Sequence, residues 1–83
     1  MHDDELNHIV GKSRDAKNGG FDALSTSEQL AAAFVLNRPD WLGSAGYTMA
    51  EAVERLGAKW LALIPPAARI LRDDDDDDEI SAG

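Results

Sequence analysis

The sequence predicts a small all-α domain of three to five helices, followed by a disordered acidic C-terminal tail. Apolar residues recur every three or four positions, and two Ser/Thr-x-x-Glu capping signals precede apolar runs. No segment alternates apolar and polar residues as a half-buried strand does. The chain has 83 residues and no cysteine, so neither disulfides nor a thiolate zinc site supplements its small core.

The charge divides the chain into two parts. Residues 1–72 carry nine acidic and eight basic residues, a net charge of −1, whereas residues 73–83 carry seven acidic residues and no base. Seven adjacent like charges repel one another and bring no apolar surface to bury, which favours disorder. We therefore expect a helical domain over residues 1–72 and an acidic tail over residues 73–83.

The first predicted helix is short. Leu6, Ile9 and Val10 are spaced to share one helix face, and the acidic residues before them suit the positive end of a helix dipole. The polar stretch 12–20 ends in Asn-Gly-Gly and predicts either a loop or a helix that frays before Asn18.

The strongest helix signal begins at Ser25, a typical N-cap with Glu28 three residues later. The apolar face after it is wide enough for a central helix, and Pro39 predicts its end. A short turn over 39–42 and a loop over 43–46 are expected next. The apolar set is Leu30, Ala31, Ala33, Phe34, Val35, Leu36 and Trp41.

The same capping pattern recurs at Thr48 and Glu51 and predicts a third helix. Its apolar positions stay in phase across Gly57, so we favour one bent helix over two separate ones. Pro65 and Pro66 predict the end of this helix. The predicted buried stripe is Met49, Ala52, Val53, Leu56, Trp60, Leu63 and Ile64, with Ala68 and Leu71 on a last short helix over 67–72.

No arrangement of residues indicates catalysis. The two histidines lie near the N-terminus, and no phosphate-binding or metalloprotease motif occurs. The spacing of His2, Asp3, Asp4 and His8 matches no metal-ligand pattern, so we expect these side chains to be solvated. The sequence therefore predicts neither an enzyme nor a bound metal or cofactor.

Residues 48–57 resemble the first helix and turn of a helix-turn-helix, with Leu56 and Gly57 at the turn. Val53 stands where these proteins usually place a small residue, and the next helix offers only Lys59 as a base or phosphate contact. A nearly neutral body also provides little counterion release on nucleic acid. Direct nucleic-acid binding is thus disfavoured, and a transcription regulator with a degenerate helix-turn-helix at 48–64 is the alternative function.

The lead hypothesis is a non-catalytic cytoplasmic protein that binds another protein with a basic surface. The tail would imitate phosphate charge and speed encounter, while Trp41 and Trp60, which core packing also explains, are candidate contacts. The predicted partner-binding residues are Asp73, Asp74, Asp75, Asp76, Asp77, Asp78, Glu79, Trp41 and Trp60.

Further expectations concern the class of target, self-association and the basic residues of the body. In size and charge, the chain resembles inhibitors that phages and mobile elements direct against host defence complexes, anti-CRISPR proteins among them. No apolar run is long enough to span a membrane. A homodimer through the helix at 26–37 would supplement the small core, and the basic residues Lys12, Arg14 and Lys17 are candidates to contact phosphate or to hold the tail.

Overall fold

The fold is helical throughout the part of the chain that is described. A computed structural model describes the backbone of residues 3–82 and the side chains of residues 4–73. It contains no strand over this range, which confirms the predicted all-α class. Apart from Asp73, the predicted acidic tail lies outside the described side chains. The elements are α1 (Asp3–Asp15), a π-helical turn (Ala16–Gly20), a 3-10 turn (Phe21–Ala23), α2 (Thr26–Val35), α3 (Pro39–Ser44) and α4 (Met49–Ala82).

Helix α1 continues through the first half of the polar stretch and ends in the π-helical turn. The backbone leaves helical geometry at Asn18 (φ −94°, ψ 16°) and Gly19 (φ 100°). Of the two alternatives predicted for residues 12–20, the fraying helix is therefore the one found. The continuation of α1 into this polar stretch is stabilised by burial, since Ser13 and Ala16 are almost fully buried.

The predicted capping box starts α2. The Ser25 N–H donates to Glu28 Oε1 at 2.9 Å, and the Glu28 N–H donates to Ser25 Oγ at 3.3 Å. Helix α2 ends at Val35, and Pro39 occupies the first position of α3. Because proline at that position fixes a helical φ and needs no N–H partner, it begins a helix here. The loop predicted at 43–46 is accordingly wrong for Gly43 and Ser44, which belong to α3.

Helix α2 is the centre of the domain, as predicted. It packs against α1, α3 and α4, and α1 also packs against α4. The apolar surface of α2 is covered within one chain, so the face predicted to join two copies is already buried. Dimerisation itself stays a prediction. The buried core consists of Ile9, Val10, Leu30, Ala31, Ala33, Val35, Leu42, Ala52, Leu56, Ala67 and Leu71.

The favoured interpretation of α4 as one bent helix is wrong. Gly57 has φ 77° and ψ 167°, far from helical values, so two helical parts over 49–56 and 58–82 meet there. This region of backbone space is essentially confined to glycine. Apolar residues that keep helical spacing across Gly57 show which side chains are able to be buried. That spacing does not determine the dihedral angles of the backbone at Gly57.

The helix end predicted at Pro65 and Pro66 is also wrong, because both residues lie inside α4. Each proline removes one backbone hydrogen bond and crowds a carbonyl, at a cost of about 3 kcal/mol or more in a helix interior. Packing on both sides of the pair offsets this cost. Ile64 precedes it and packs against the core, while Ala67 follows it and is completely buried.

The buried stripe predicted for the first part of α4 is only half correct. Ala52 and Leu56 are buried, but Met49 is 60% exposed and Val53 is 42% exposed. This part of the helix has only two turns before Gly57, and one pair of side chains four positions apart covers its contact with the body. Met49 and Val53 therefore lie outside the core.

Replacing Gly57 with alanine should destabilise the domain by about 1–3 kcal/mol, because a Cβ makes the positive φ costly. Nothing lies within 4 Å of the place that this Cβ would occupy, so the effect is backbone strain and not a clash. Urea unfolding followed by circular dichroism measures it. Gly11→Ala, in the interior of α1 and equally open, is the control and should be neutral or stabilising. Equal effects of the two substitutions would contradict the assignment.

Ser13→Ala should stabilise the domain by about 1 kcal/mol, because it removes a buried hydroxyl that lacks compensation. Ser13 is fully buried, and its Oγ has no hydrogen-bond partner among the described residues. The same unfolding measurement applies. The exposed Ser44→Ala, whose Oγ lies 3.3 Å from the Asp40 carbonyl oxygen, should give no gain. A clear loss of stability in Ser13→Ala would show that the hydroxyl is satisfied in solution.

Candidate protein-binding surface

His8 belongs to a contact between helices. Its Nε2 lies 2.7 Å from Glu28 Oε2, and this pair joins α1 to the first turn of α2. His8 is thus more than a solvated side chain, although it is still 46% exposed. Of the other members of the loose group predicted near the N-terminus, Asp4 is exposed, and His2 and Asp3 lie outside the described side chains. The described residues contain no group of three potential metal ligands.

Glu28 serves both the capping box and the contact with His8. The hydrogen bond from the Ser25 N–H lowers the pKa of Glu28 below its ordinary value of 4.5. Burial opposes this effect, whereas the contact with His8 and the positive charge of Lys12 add to it. The ionised carboxylate is therefore the form that holds the start of α2 against α1.

Trp41 lies on α3 and is half-buried. Its ring centroid is 4.6 Å from that of Phe21, and the Arg38 guanidinium carbon lies 4.7 Å from it on one face. Arg38 also donates to both carboxylate oxygens of Asp40, at 3.1 and 3.0 Å. A surface cleft of about 240 Å³ opens beside the ring, lined by Lys17, Leu36, Arg38 and Trp41. Trp41 therefore combines a packing contact with an accessible edge.

Trp60 occupies a different setting at the contact between α1 and α4. It is half-buried, and its ring centroid lies 6.2 Å from that of His8. The adjacent Lys59 forms an ion pair with Glu5 at 3.1 Å. The two tryptophans that the sequence suggested as contacts thus have separate neighbours and are not assembled into one surface.

The cations of the segment that resembles a helix-turn-helix are used between helices. Lys59, the one cation predicted on its second helix before Pro65, is held by Glu5 of α1. The Arg55 Nε donates to Ser27 Oγ of α2 at 3.5 Å. These contacts direct both side chains toward the body, which makes the segment less suited to contacting phosphates.

An exposed apolar and acidic surface on α4 was not predicted from the sequence. We call Met49, Ala50, Val53 and Glu54 the α4 patch; all four are exposed, and their spacing places them side by side. Met49 also borders a small apolar cleft of about 60 Å³ formed with α2 and α3. The available signal in the sequence is Gly57 itself. A helix that ends there is so short that Ala52 and Leu56 are enough to form its contact with the body.

The acidic run, residues 73–79, starts where the core ends. Leu71 is 4% exposed and is the last buried residue among the described side chains. Arg72 and Asp73 are exposed, and residues 74–79 lie outside the described side chains. The acidic run therefore begins two residues after the last buried side chain among those described.

Comparison with known proteins gave no match to a family model, to a curated protein or to a solved structure. Within the described range, no helix has both the length and the apolar character required of a membrane span.

Glu28→Gln should lower the stability by about 1 kcal/mol at pH 7, because the cap and the contact with His8 lose their charge. A lowered folded-state pKa means that this stabilisation is present above the ordinary value of 4.5 and is lost as the pH falls through the folded-state value. The difference in stability between the natural chain and Glu28→Gln, measured by thermal unfolding, should therefore shrink as the pH falls below 4.5. Glu54→Gln, the same charge change on the exposed α4 patch, should show little effect, and a difference that is constant with pH would contradict the role of the carboxylate.

Proposed function

We propose that this chain is a non-catalytic module that binds another protein through the acidic run and the α4 patch. The observation that carries the proposal is the separation of charge. Seven adjacent acidic residues follow a body in which nine acids and eight bases give a net charge of −1. The complementary partner is a protein with a basic surface.

The internal contacts of the body support this division. Lys59 pairs with Glu5, Arg38 with Asp40, and His8 contacts Glu28. Such pairs cancel much of the field of the body, whereas the acidic run contains no base. Because exposed charges act over roughly 8 Å at physiological ionic strength, the run would accelerate encounter and would do so less at high salt.

The α4 patch would provide the short-range contact. Met49 is the most exposed of the large apolar residues described, and Val53 lies one helical turn further along. Burying a fully exposed side chain of this kind contributes roughly 1.5–3 kcal/mol, and covering the exposed 60% of Met49 would contribute a corresponding part, which a charged tail alone does not provide. Glu54 extends the negative charge next to the apolar contact, so both features fit the same basic partner.

The proposed class of partner is a protein that handles nucleic acid, because a run of adjacent carboxylates imitates a series of phosphates. Nucleic-acid-binding proteins hold phosphates in a basic groove. A chain that occupies this groove would inhibit the protein, as the small acidic inhibitors of phages and mobile elements do. Cytoplasmic location is part of this proposal. The regulator with a degenerate helix-turn-helix at 48–64 is the competing outcome.

The test is quantitative capture of partners from nuclease-treated lysate at low and high salt. Four proteins are compared: the natural chain, a chain with the acidic run replaced by Asn and Gln, Met49→Ser with Val53→Ser, and the control Ile70→Ser. Ile70 is 37% exposed and lies outside the α4 patch. A single stoichiometric protein should be recovered and then remeasured with purified components.

Neutralising the acidic run should slow association and flatten its salt dependence, while the double substitution in the α4 patch should speed dissociation at every salt concentration. Ile70→Ser should behave like the natural chain. Recovery of nucleic acid without a protein would favour the regulator. A protein partner whose binding ignores both changes would contradict the proposed surface.

A further inference from the structure

The α4 patch continues into the apolar cleft that α2, α3 and α4 form together. Ala33 and Leu42 in this cleft are almost fully buried and form its floor, whereas Met49 is exposed and belongs to its rim. Val53 lies one helical turn beyond Met49 and is also exposed. The cleft and the α4 patch therefore form one continuous apolar surface. The residues that line the cleft are Ala33, Phe34, Asn37, Pro39, Leu42 and Met49.

The size of the cleft limits what it is able to hold. Its volume is about 60 Å³. Sites for drug-sized ligands are much larger, with volumes of roughly 300–1,000 Å³. A buried water requires about 10–15 Å³, so the cleft has room for about four or five non-hydrogen atoms. One leucine or methionine side chain of another protein has this size.

Charge indicates which residue should accompany this apolar side chain. None of the described residues that line the cleft is charged. Glu54 is exposed beside Val53 in the α4 patch. Arg55, the first base of α4, is directed to Ser27 at the start of α2, and adjacent positions on a helix do not face each other. A lysine or arginine of the partner is therefore the complement of Glu54.

A second copy of this chain suits the surface less well. Closed dimers bring the same surface of both copies together. The two copies of Glu54 would then lie close to each other, and the α4 patch contains no base to separate them. Like charges in this arrangement oppose association, whereas a basic protein segment meets no such repulsion.

We propose that the cleft binds one large apolar side chain of the partner and that Glu54 pairs with a lysine or arginine close to that side chain. This inference rests on the proposed function, because it names the segment of a basic partner that contacts the α4 patch. Met49 and Glu54 are five positions apart (54 − 49), a rise of about 7.5 Å. This distance corresponds to about five positions on a helix or two positions on an extended segment.

The test measures binding of two synthetic peptides to the complete chain by NMR. One is a blocked helical peptide of alanine, glutamine and lysine with one central leucine, and the other has serine in place of that leucine. Both peptides carry the same charge, so the acidic run attracts them equally. The signals observed are the methyl groups of Ala33 on the floor of the cleft and of Met49 on its rim.

We expect the leucine peptide to shift both methyl signals and to bind about tenfold more tightly than the serine peptide, because only leucine is buried in the cleft. Met49→Ser should reduce its affinity to about that of the serine peptide, whereas the control Ile70→Ser should leave it unchanged. Glu54→Gln should weaken binding by about two- to fivefold at low salt. Asp22→Asn, the same charge change at an exposed residue outside α4, should have a smaller effect.

Equal shifts with both peptides would overturn the inference, because the acidic run alone would then account for binding. Methyl signals that move when the chain is concentrated without a peptide would also overturn it, since a second copy would then occupy the cleft. The capture experiment fails separately. A captured protein that requires Met49 and Val53, together with equal shifts by both peptides, would retain the proposed function and remove the cleft from it. Binding of the leucine peptide without a captured protein would retain the cleft and contradict the proposed function.

Discussion

Close packing around α2 is the constraint on which the rest of the structure depends. Ala31, Ala32 and Ala33 are almost fully buried, and such small side chains allow neighbouring helices to approach closely. Three helices use this surface, so a domain of this size buries a continuous core without a disulfide. The cost is a thin core in which the direction of every helix matters. The capping box at Ser25 and the contact of Glu28 with His8 fix the start of α2 relative to α1.

That requirement explains two features of α4 that conflict with local preference. Gly57 allows the chain to leave α2 and turn toward α1, which no residue with a Cβ does cheaply. Pro65 and Pro66 remain helical because Ala67 and Leu71 beyond them are buried. Tertiary contacts thus override helix propensity, which is a weak guide wherever burial opposes it.

The electrostatics follow the same separation into packed and unpacked parts. The contacts of Lys59 with Glu5 and of His8 with Glu28 connect neighbouring helices, and such exposed pairs contribute mainly to orientation. The acidic run follows Leu71, the last buried side chain among those described, and contains no base to offset its charge. In the proposed complex, a field of this kind would govern the association rate, whereas the apolar α4 patch would govern how long the complex lasts.

The sequence by itself determined the helical class, the central position of α2 and the separation of charge. It also determined the capping box of Ser25 with Glu28 and that of Thr48 with Glu51, in which the Thr48 N–H donates to Glu51 Oε1 and the Glu51 N–H donates to Thr48 Oγ1. These features follow from the local spacing of residues and from composition, neither of which depends on tertiary contacts. Only the tertiary structure decided that α4 breaks at Gly57, that it continues through Pro65 and Pro66, and that Met49 and Val53 face outward. Apolar periodicity marks the side chains that are able to be buried, but the number of neighbouring helices decides which of them are. The α4 patch was hidden from the sequence for this reason, since Met49 and Val53 have the same spacing as the buried Ala52 and Leu56.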